Sequence, residues 1–534
     1  MTRPDHRRLA EAWLADEVDP AAADELRALL ADGSDGATAE LADRFRGPLT
    51  FGTAGLRGPL RAGPNGMNRA VVRRAAAGVA AWLTGQGRPG EPVVIGYDGR
   101  HGSSDFARDS AGIFAAAGFD ARLLPRLLPT PVLAFAVQHL GAAAGVMVTA
   151  SHNPPQDNGY KVYAADGAQI APPMDAEIEA AIRAVGPTRQ IPLAPAGVTV
   201  LDESIVAAYV SAVAGLIGPG PRELRIVHTA MHGVGTEMVR KVFAAAGFAP
   251  LVAVPQQEQP DPDFPTVAFP NPEEPGALDL AFALARAEGA DVIIANDPDA
   301  DRCAVAVPGT GGEWRMLRGD EVGVLLAEAL LRKGVRGTYA TTIVSSSMLG
   351  AMAARNGVGY AETLTGFKWI SRAAPDLVFG YEEALGYAVA PALVRDKDGI
   401  SAALLVAERA AELRGTGSSL PQRLDELAQE YGRYATDQVS LRVDDLSVIS
   451  DTMDRLRAGP PATLLGEPVT VTDLLPEADV VRLTWTAGRA VGRPSGTEPK
   501  LKAYLEVVVA DGSAETAAAR LAALRKEISA ALGI

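Results

Sequence analysis

The sequence lacks the residues that form covalent cross-links and membrane spans. Its 534 residues include a single cysteine, Cys303, so no disulfide can form within the chain, which suits a reducing compartment. No run of about 18 apolar residues occurs, and acidic residues interrupt the apolar stretches at the N-terminus, so neither a transmembrane helix nor a signal peptide is predicted. We therefore expect a soluble, cytoplasmic protein that makes no membrane contact.

Positive charge is also scarce. The chain has 50 Lys and Arg against 65 Asp and Glu, which gives a formal net charge of −15. An acidic surface of this kind argues against nucleic acid as a partner, although a local basic pocket for a small anion remains compatible with it.

What the sequence does have is length and a repeated pattern. At 534 residues, 48% of them hydrophobic, it is expected to form three or four domains of roughly 150 residues each. Similar segments surround Phe114, Phe243 and Ala353, and in each an apolar β-type run leads to a polar loop, a helix and a second apolar run. Three such units predict largely parallel sheets covered by helices, with ligands bound at the loops that follow the strands.

The predicted fold class is α/β, with three similar mixed α/β domains and a smaller α+β C-terminal domain. The fourth domain differs because short β-type runs and a closing helix replace the strand–helix alternation there. The predicted segments are a helical arm at 1–45, domain I at 46–200, domain II at 201–312, domain III at 313–430 and domain IV at 431–534.

The stretch VTASHNPPQDNGYKVY places Ser151 in a loop at the end of an apolar strand. Asn158 and Gly159 predict a turn, after which a returning strand can carry Lys161 back toward Ser151. The serine is either a nucleophile or a turn residue that bonds its own backbone. A serine hydrolase is less favoured, because positions 149 and 153 lack the glycines of a nucleophile elbow and because His152 would point away from Ser151 in an extended chain.

The stretch DVIIANDPDADR delivers three aspartates at alternate positions after an apolar strand. In an extended segment, Asp297, Asp299 and Asp301 would face one side. At about 4 Å and an effective dielectric constant of about 20, each pair would repel by about 4 kcal/mol, which a divalent cation would offset. Carboxylate oxygens favour Mg²⁺ over Zn²⁺, and the alternative is an acidic, solvated turn.

Three further stretches carry weaker indications of ligand binding. VGRPSGTEPKLKAY offers a guanidinium, hydroxyls and lysines around a glycine, which suits a phosphate cradle, although a plain turn before a strand is the alternative. GYEEALGY places Glu382 and Glu383 on a tight loop that suits sugar hydroxyls, but an exposed acidic turn explains it equally well. In FGTAGLRG, Arg57 is a candidate phosphate contact, and the glycines alternatively serve only a bend.

Taken together, these stretches resemble the α-D-phosphohexomutase superfamily, which includes phosphoglucomutases and phosphomannomutases. TASHNP, the Asp-x-Asp-x-Asp-Arg loop, the Glu-Glu loop and Arg-Pro-Ser-Gly-Thr-Glu-Pro occur in the family's order, over residues 45 to 534. The resemblance implies four domains around a central cleft. Ala384, where many hexose-phosphate mutases have serine, and the stretches FGTAGLRG and FPNPEEPGAL make the chain look closer to the branch with phosphopentomutases and broad-specificity phosphoglucomutases.

The resemblance also implies roles for individual residues. The implied catalytic residues are Ser151 as the phosphoserine, Lys161 as general acid/base, His152 as its helper, and Arg57 and Arg302 beside the transferring phosphoryl group. The implied ligands of one Mg²⁺ per subunit are Ser151, Asp297, Asp299 and Asp301. The implied substrate-binding residues are Thr365, Gly366 and Lys368 of TGFKWI, the sugar-loop Glu382 and Glu383, and Arg493, Ser495, Gly496, Thr497 and Lys502 for the non-transferring phosphate.

The activity implied by the resemblance is a phosphosugar mutase that interconverts glucose 1-phosphate and glucose 6-phosphate. A sugar 1,6-bisphosphate is implied as intermediate and activator, and the protein is implied to be a monomer or a homodimer. A phosphopentomutase or phosphomannomutase is the alternative within the class. A non-catalytic sugar-phosphate-binding protein is the alternative from a different class.

Overall fold

The protein folds into two compact units of mixed helix and strand. The computed structural model describes residues 5–51, 55–309, 311–443, 445, 447–495 and 500–533. The first unit consists of Met1–Met316 and Gly386–Glu408, and the second of Leu317–Leu385 and Arg409–Ile534. Within the described ranges, no helix is both long enough and apolar enough to cross a bilayer.

The N-terminal segment forms three short helices, α1 (His6–Asp16), α2 (Pro20–Ala31) and α3 (Asp35–Arg44). Each begins at a side chain that accepts a hydrogen bond from the first turn, namely Asp5, Asp19 and Ser34. Their apolar faces pack into a small core of their own that also includes Ala62. This core joins the three helices to the segment that follows them.

The first sheet carries the stretch around Ser151. Its elements are β1 (Leu56–Pro59), α4 (Arg69–Gly85), β2 (Pro92–Tyr97), α5 (Ser103–Ala116), β3 (Asp120–Leu123), α6 (Thr130–His139), β4 (Ala144–Val148), β5 (Asp157–Ala164), α7 (Met174–Arg183) and β6 (Thr199–Val200). The strand order is β1-β5-β4-β2-β3-β6. Strands β4, β2, β3 and β6 pair in parallel, whereas β5 is antiparallel to both β4 and β1. The carboxyl end of β4 therefore leads directly into the loop that holds Ser151.

The predicted turn at Asn158 and Gly159 is wrong, because both residues lie inside β5. Asn158 Nδ2 instead donates to His101 O (2.8 Å) and Ser103 Oγ (3.0 Å), and these tertiary bonds override the local turn preference. A Cβ atom on Gly159 would lie 2.5 Å from Thr149 O, so the glycine allows β5 to pass close to the preceding loop. The connection between β4 and β5 is residues 149–156, called here the serine turn.

The second sheet carries the three aspartates. Its elements are α8 (Ser204–Ala214), β7 (Ile226–Thr229), α9 (Gly235–Ala245), β8 (Val252–Ala253), α10 (Asp279–Glu288), β9 (Val292–Ala295), β10 (Ala304–Pro308) and β11 (Trp314–Met316). The strand order is β11-β10-β9-β7-β8, with β7 parallel to both β8 and β9. Residues 296–303, called here the acidic loop, connect β9 to the antiparallel β10.

The second unit contains the remaining sheets. The elements of this part of the chain are α11 (Gly319–Arg332), β12 (Thr338–Thr342), α12 (Met348–Asn356), β13 (Gly359–Thr363), α13 (Phe367–Ile370), β14 (Leu377–Glu382), β15 (Gly386–Ala388), α14 (Gly399–Gly415) and α15 (Leu420–Tyr431). Of these, β15 and the first part of α14 belong to the first unit. Strand β12 lies between β13 and β14 and is parallel to both.

The C-terminal residues form an antiparallel sheet with helices. Its elements are β16 (Arg433–Arg442), α16 (Ser447–Ala458), β17 (Thr463–Leu464), β18 (Glu467–Pro468), β19 (Thr470–Asp473), β20 (Val481–Trp485), β21 (Gly488–Pro494), β22 (Lys500–Val509) and α17 (Ala514–Leu532). The main strand order is β16-β22-β21-β20-β19. An apolar core that includes Met453, Leu505 and Leu524 joins the sheet to α16 and α17.

Candidate active site

Ser151 lies at the start of the serine turn, in a left-handed backbone conformation with φ of 51°. Its side chain is almost fully buried, and its Oγ donates a hydrogen bond to Asp297 Oδ2 at 2.8 Å. Oγ also lies 3.1 Å from His152 Nδ1, so the expectation that these neighbouring side chains point apart is wrong. That expectation assumed an extended backbone, whereas the backbone of Ser151 is left-handed and turns the two side chains toward each other. Ser151 is therefore held between an imidazole and a carboxylate.

The acidic loop brings its three aspartates together, although not in the extended conformation that the alternating pattern predicted. Ala300 has φ of 54°, and the loop turns back toward β10. The side chains of Asp297, Asp299 and Asp301 are fully buried, and one oxygen of each lies within 4.8 Å of the others. A tight turn after a buried strand thus produces a cluster of three buried carboxylates.

Two lysines contact this cluster directly. Lys161, on β5, donates from Nζ to Asp299 Oδ2 (2.7 Å) and Asp301 Oδ2 (2.9 Å). Lys397, in the segment before α14, places its Nζ 3.3 Å from Asp301 Oδ2. Thr130 Oγ1, at the start of α6, donates to Asp299 Oδ2 at 2.6 Å. Ser151 and Lys161 therefore face the same cluster from β4 and β5, as the sequence predicted for a returning strand.

The carboxylates of the cluster differ in their acidity. Burial raises the pKa of Asp297 to about 8, and the negative charges of Asp301 and Asp299 act in the same direction. Burial would also raise the pKa of Asp301, but the positive charges of Lys161 and Lys397 outweigh it and hold that pKa below its usual value. The two lysines thus offset part of the repulsion within the cluster.

The flanking bases also have shifted pKa values. Burial lowers the pKa of His152 well below its usual value, and the positive charges of Arg302 and Arg57 add to that effect. Burial would lower the pKa of Lys161 as well, but the adjacent carboxylates outweigh it and raise the pKa above the usual value. At neutral pH the imidazole is neutral and the ammonium is charged.

The cluster fits a hard divalent cation. Asp299 Oδ1 and Asp301 Oδ1 are buried and have no hydrogen-bond partner among the described residues. An unpaired buried carboxylate oxygen is costly, and a cation bound to several such oxygens removes that cost. Oxygen ligands alone suit Mg²⁺. With Asp297, the two aspartates would hold the ion next to Ser151 Oγ.

Both predicted arginines lie at the same site. Arg57, on β1, donates from Nη1 to Asn153 Oδ1 of the serine turn at 2.8 Å. The backbone N–H of Arg302 donates to Asp297 Oδ1 at 3.0 Å, and Arg302 also forms a β-bridge with Gly386. The first unit thus assembles all five residues for which catalysis was predicted.

The predicted sugar-binding glutamates lie in the second unit, at the end of β14. Glu382 and Glu383 are both partly exposed. Glu383 Oε2 accepts hydrogen bonds from Ser345 Oγ (3.0 Å) and Thr342 Oγ1 (3.2 Å). Thr342 is the last residue of β12, and Ser345 lies just after it. These bonds fix the Glu383 carboxylate at the carboxyl edge of two parallel strands, where ligands commonly bind.

The stretch TGFKWI consists of the short helix α13 and the two residues before it. Thr365 and Gly366 precede this helix, and Gly366 has φ of 110°, a conformation that favours glycine. Lys368 is partly exposed, with its Nζ 5.7 Å from the ring centroid of Trp369. The lysine is therefore accessible to a ligand, and its role as a substrate contact stays a prediction.

The predicted phosphate-binding residues belong to the C-terminal sheet. Arg493, on β21, is paired in register with Lys502 on β22, so two positive side chains lie on adjacent strands. Both are partly exposed, as is Ser495 after β21. Gly496 and Thr497 lie outside the described residues. The part of the predicted cradle that the structure describes is a partly exposed, positively charged strand end.

A buried polar cluster that the sequence did not predict joins β12 to the C-terminal sheet. Glu506 accepts from Ser346 Oγ (2.7 Å), Ser347 N (2.8 Å), Ser347 Oγ (2.7 Å) and Arg489 Nε (2.9 Å). Arg489 also donates to the backbone oxygen of Ser345, the serine that binds Glu383. The run of three serines after β12 was the available signal, because hydroxyls at a strand end often bind a buried charge.

Sequence reasoning also missed three residues of the first unit. Lys397 lies in a Lys-Asp-Gly stretch to which no role was given. Thr130 is the first residue of α6, and Arg100 follows β2 in an Asp-Gly-Arg turn. That turn was the only local signal, because the partners of these residues are distant in the sequence.

Comparison with known proteins identifies the family. Models of the phosphoglucomutase/phosphomannomutase α/β/α domains I, II and III match residues 48–188, 207–311 and 318–431. The chain is 48% identical over 455 residues to a probable phosphomannomutase of Haemophilus influenzae, covering 83% of this chain and 93% of the relative. The chain belongs to the α-D-phosphohexomutase superfamily. Members of this superfamily are intramolecular phosphotransferases, so the predicted family and enzyme class are confirmed.

Other members of the superfamily are similar over more of the chain. A phosphopentomutase of Mus musculus is 36% identical over 568 aligned positions, covering 94% of this chain and 90% of the relative. A crystal structure from Thermus thermophilus, of a protein assigned as a phosphomannomutase, superposes with a TM-score of 0.73 at 29% identity and covers 90% of this chain and 99% of that chain. Three superfamily α/β domains and a further β-rich C-terminal domain confirm the predicted fold class. The domain boundaries at 45, 200, 312 and 430 stay predictions.

Proposed function

We propose that the protein is a phosphosugar mutase that moves a phosphoryl group within a sugar monophosphate through a phosphoserine at Ser151. The observation that carries the proposal is the 2.8 Å hydrogen bond from Ser151 Oγ to Asp297, one of three clustered buried carboxylates. A hydroxyl has little reason to be buried against an acidic cluster unless that cluster serves its chemistry. The serine is thus a nucleophile and not only a turn residue.

The reaction has two transfers of opposite direction. In the first, a sugar hydroxyl attacks the phosphoserine, the bond from phosphorus to Oγ breaks, and a sugar bisphosphate forms. In the second, Ser151 Oγ attacks the other phosphate of the bisphosphate and releases a sugar monophosphate. When Ser151 attacks, the neutral His152, 3.1 Å from Oγ, accepts the serine proton and the charged Lys161 protonates the departing sugar oxygen. When the sugar attacks, the roles reverse: Lys161 takes the proton of the sugar hydroxyl and His152 returns a proton to the departing Oγ.

The metal and the arginines supply charge stabilisation. Asp297, Asp299 and Asp301, with an oxygen of Ser151, would hold one Mg²⁺ per subunit, which would neutralise negative charge on the transferring group. Arg57 and Arg302, whose guanidinium groups belong to the same site, bind the phosphoryl oxygens. The burial of the serine and the aspartates excludes water, which would otherwise hydrolyse the phosphoserine.

The residues of the second unit bind the part of the substrate that does not react. Glu382 and Glu383 accept hydrogen bonds from sugar hydroxyls, and Thr365, Gly366 and Lys368 make further contacts with the substrate. The non-transferring phosphate binds Arg493, Ser495, Gly496, Thr497 and Lys502. Because either phosphate of the bisphosphate must take that position in turn, a single cradle serves both transfers.

We propose glucose 1-phosphate and glucose 6-phosphate as the substrate pair, with glucose 1,6-bisphosphate as intermediate and activator. A pentose 1-phosphate and 5-phosphate pair is the second candidate. It is supported by the likeness to mouse phosphopentomutase over 94% of the chain and by Ala384, which offers no hydroxyl to a hexose. Mannose phosphates are a third candidate, supported by the Haemophilus influenzae relative.

The experiment compares turnover of the purified protein on the 1-phosphates of glucose, mannose, ribose and deoxyribose with Mg²⁺ present. The proposal expects the highest kcat/KM for glucose 1-phosphate, and a higher value for a pentose phosphate would overturn the choice of sugar. Intact mass after incubation with glucose 1,6-bisphosphate tests the chemistry. A protein that gains no phosphate at Ser151 and turns over none of the four sugars is only a sugar-phosphate binder.

A further inference from the structure

The buried guanidinium of Arg100 donates hydrogen bonds to backbone carbonyl groups in the serine turn and at the start of β5. Arg100 Nη2 donates to Ser151 O at 2.7 Å and to Asn153 O. Arg100 Nη1 donates to Pro154 O at 2.8 Å and to Asp157 O at 3.1 Å. Three carbonyl groups of the serine turn and that of Asp157, the first residue of β5, thus share a single side chain, and of these Pro154 O also accepts from Asp157 N at 3.1 Å.

The serine turn needs such a partner. Ser151 has φ of 51°, a left-handed conformation that is unfavourable for a non-glycine residue and persists only where its surroundings enforce it. Buried carbonyl groups without donors add to that cost. The planar fork of an arginine can satisfy several of them at fixed positions, whereas an ammonium cannot.

Arg100 itself is held in place from the first sheet and from a loop of the second. Its side chain is 1% exposed, and its backbone N–H donates to Asp98 Oδ1 at 3.0 Å, just after β2. Asp98 Oδ1 also accepts from Ser103 Oγ at 2.7 Å. The guanidinium carbon lies 4.9 Å from the ring centroid of Phe264, which covers the group. The guanidinium is therefore a rigid support and contacts the turn only through carbonyl oxygens.

We propose that Arg100 is a positioning residue for phosphoryl transfer: its guanidinium fixes the serine turn in the one conformation that directs Ser151 Oγ at Asp297. The inference rests on the proposed function of Ser151. Arg100 contacts the carbonyl of Ser151 and not the hydroxyl, so it acts on the alignment of the nucleophile and not on the binding of sugar. Its loss is expected to lower kcat and to leave KM for the sugar phosphate nearly unchanged.

The test compares Arg100→Lys with Arg73→Lys. Arg73 is a mostly buried arginine of the same domain, on α4, that binds Asp109 Oδ2 at 2.8 Å and does not contact the serine turn. Arg100→Lys keeps the charge and loses the fork, and we expect kcat to fall about 100-fold with KM within about threefold of wild type. Arg73→Lys is expected to keep kcat within about threefold.

A second readout does not depend on catalysis. Hydrogen exchange of peptides that cover residues 149–158 is expected to become about tenfold faster in Arg100→Lys and to stay unchanged in Arg73→Lys. Phe264→Leu gives a milder variant if Arg100→Lys folds poorly. It removes only the covering ring, and we expect about a fivefold loss of kcat with unchanged KM.

The outcomes separate the two proposals. Arg100→Lys with kcat within about threefold of wild type overturns the positioning role, as does a rise in KM that accounts for the whole loss of kcat/KM. Unchanged exchange at residues 149–158 also overturns it. A wild-type protein that takes no phosphate on Ser151 overturns the proposed function and the kinetic part of this inference with it, whereas the exchange measurement still decides whether Arg100 fixes the turn.

Discussion

The predicted site residues of the two units differ in how deeply they are buried. In the first unit, Ser151, Lys161 and the three aspartates are buried, and each makes at least one short hydrogen bond to another member of this group. In the second unit, the glutamates and the positive side chains assigned to the substrate are partly exposed. A reaction centre benefits from groups that cannot move, whereas recognition of a sugar benefits from groups that ligands can reach. The comparison predicts that changes in the first unit alter kcat and changes in the second alter KM.

Ser151→Ala should have the largest effect and most directly test the role of the first unit. We expect turnover to fall by at least about 10⁴-fold, because the substitution removes the hydroxyl that is proposed to carry the phosphoryl group. Coupled-enzyme turnover and intact mass are the measurements, with the exposed Ser450→Ala as control. Retained phosphate uptake in Ser151→Ala would show that another residue is the nucleophile.

Asp299→Asn should come next. Removal of one negative charge from the cluster is expected to weaken Mg²⁺ binding and to lower kcat/KM on the order of 10³-fold at fixed Mg²⁺. Calorimetric titration with Mg²⁺ measures the affinity, and the exposed Asp105→Asn is the control. Chelation of the metal should abolish turnover of the wild type, and full turnover after chelation would contradict a metal site.

Glu383→Gln should have a smaller effect of a different kind. The amide keeps the size of the side chain but binds sugar hydroxyls less strongly, so we expect KM to rise about tenfold while kcat changes by less than about threefold. Steady-state kinetics measures both, with the exposed Glu426→Gln as control. A loss confined to kcat would remove the distinction between the two units.

One buried group in each unit, His228 in the first and Asp320 in the second, should make stability depend on pH, and the two dependences should have opposite signs. In the first, burial lowers the pKa of His228 to about 4, so the folded state takes up its proton later than the unfolded state does. Stability from this group is present above about pH 6.5 and is lost as pH falls toward about 4, at a cost on the order of 3 kcal/mol. The free energy of unfolding of His228→Gln should therefore approach that of wild type as pH falls, which thermal unfolding at several pH values measures. A disadvantage of the variant that grows toward acid would contradict the shift.

Asp320 in the second unit should behave in the opposite way. Burial raises its pKa to about 7, and Glu383 and Glu506 add to the shift. Its contribution to stability is complete below about pH 3.8 and is lost as pH rises through about 7. Asp320→Asn should therefore be relatively more stable at pH 8 than at pH 5 when thermal unfolding is compared with wild type. An advantage that grows toward acid would contradict the shift.

The sequence predicted the positions of the site residues better than the shape of their loops. Ser151 and the three aspartates follow buried strands, and an apolar run that ends in polar residues predicts such a place well. The turn at Asn158 was wrong because the side chain binds His101 and Ser103, more than 50 positions away. A local preference cannot report a tertiary bond.

Contacts made through the backbone were not predictable at all. Arg100 binds four carbonyl groups, and a carbonyl group is common to every residue, so no side-chain pattern marks its partners. The left-handed conformations of Ser151 and Ala300 were equally hidden, because both residue types normally avoid that region. These features depend on the assembled fold and not on any short stretch of it.

The discontinuity of the first unit has a consequence for synthesis on the ribosome. This unit is completed by Gly386–Glu408, a segment made only after residues 317–385. Lys397, 3.3 Å from Asp301, belongs to that late segment. The acidic cluster can therefore reach its final electrostatic balance only after residues 317–385 have been made and the segment with Lys397 has left the exit tunnel.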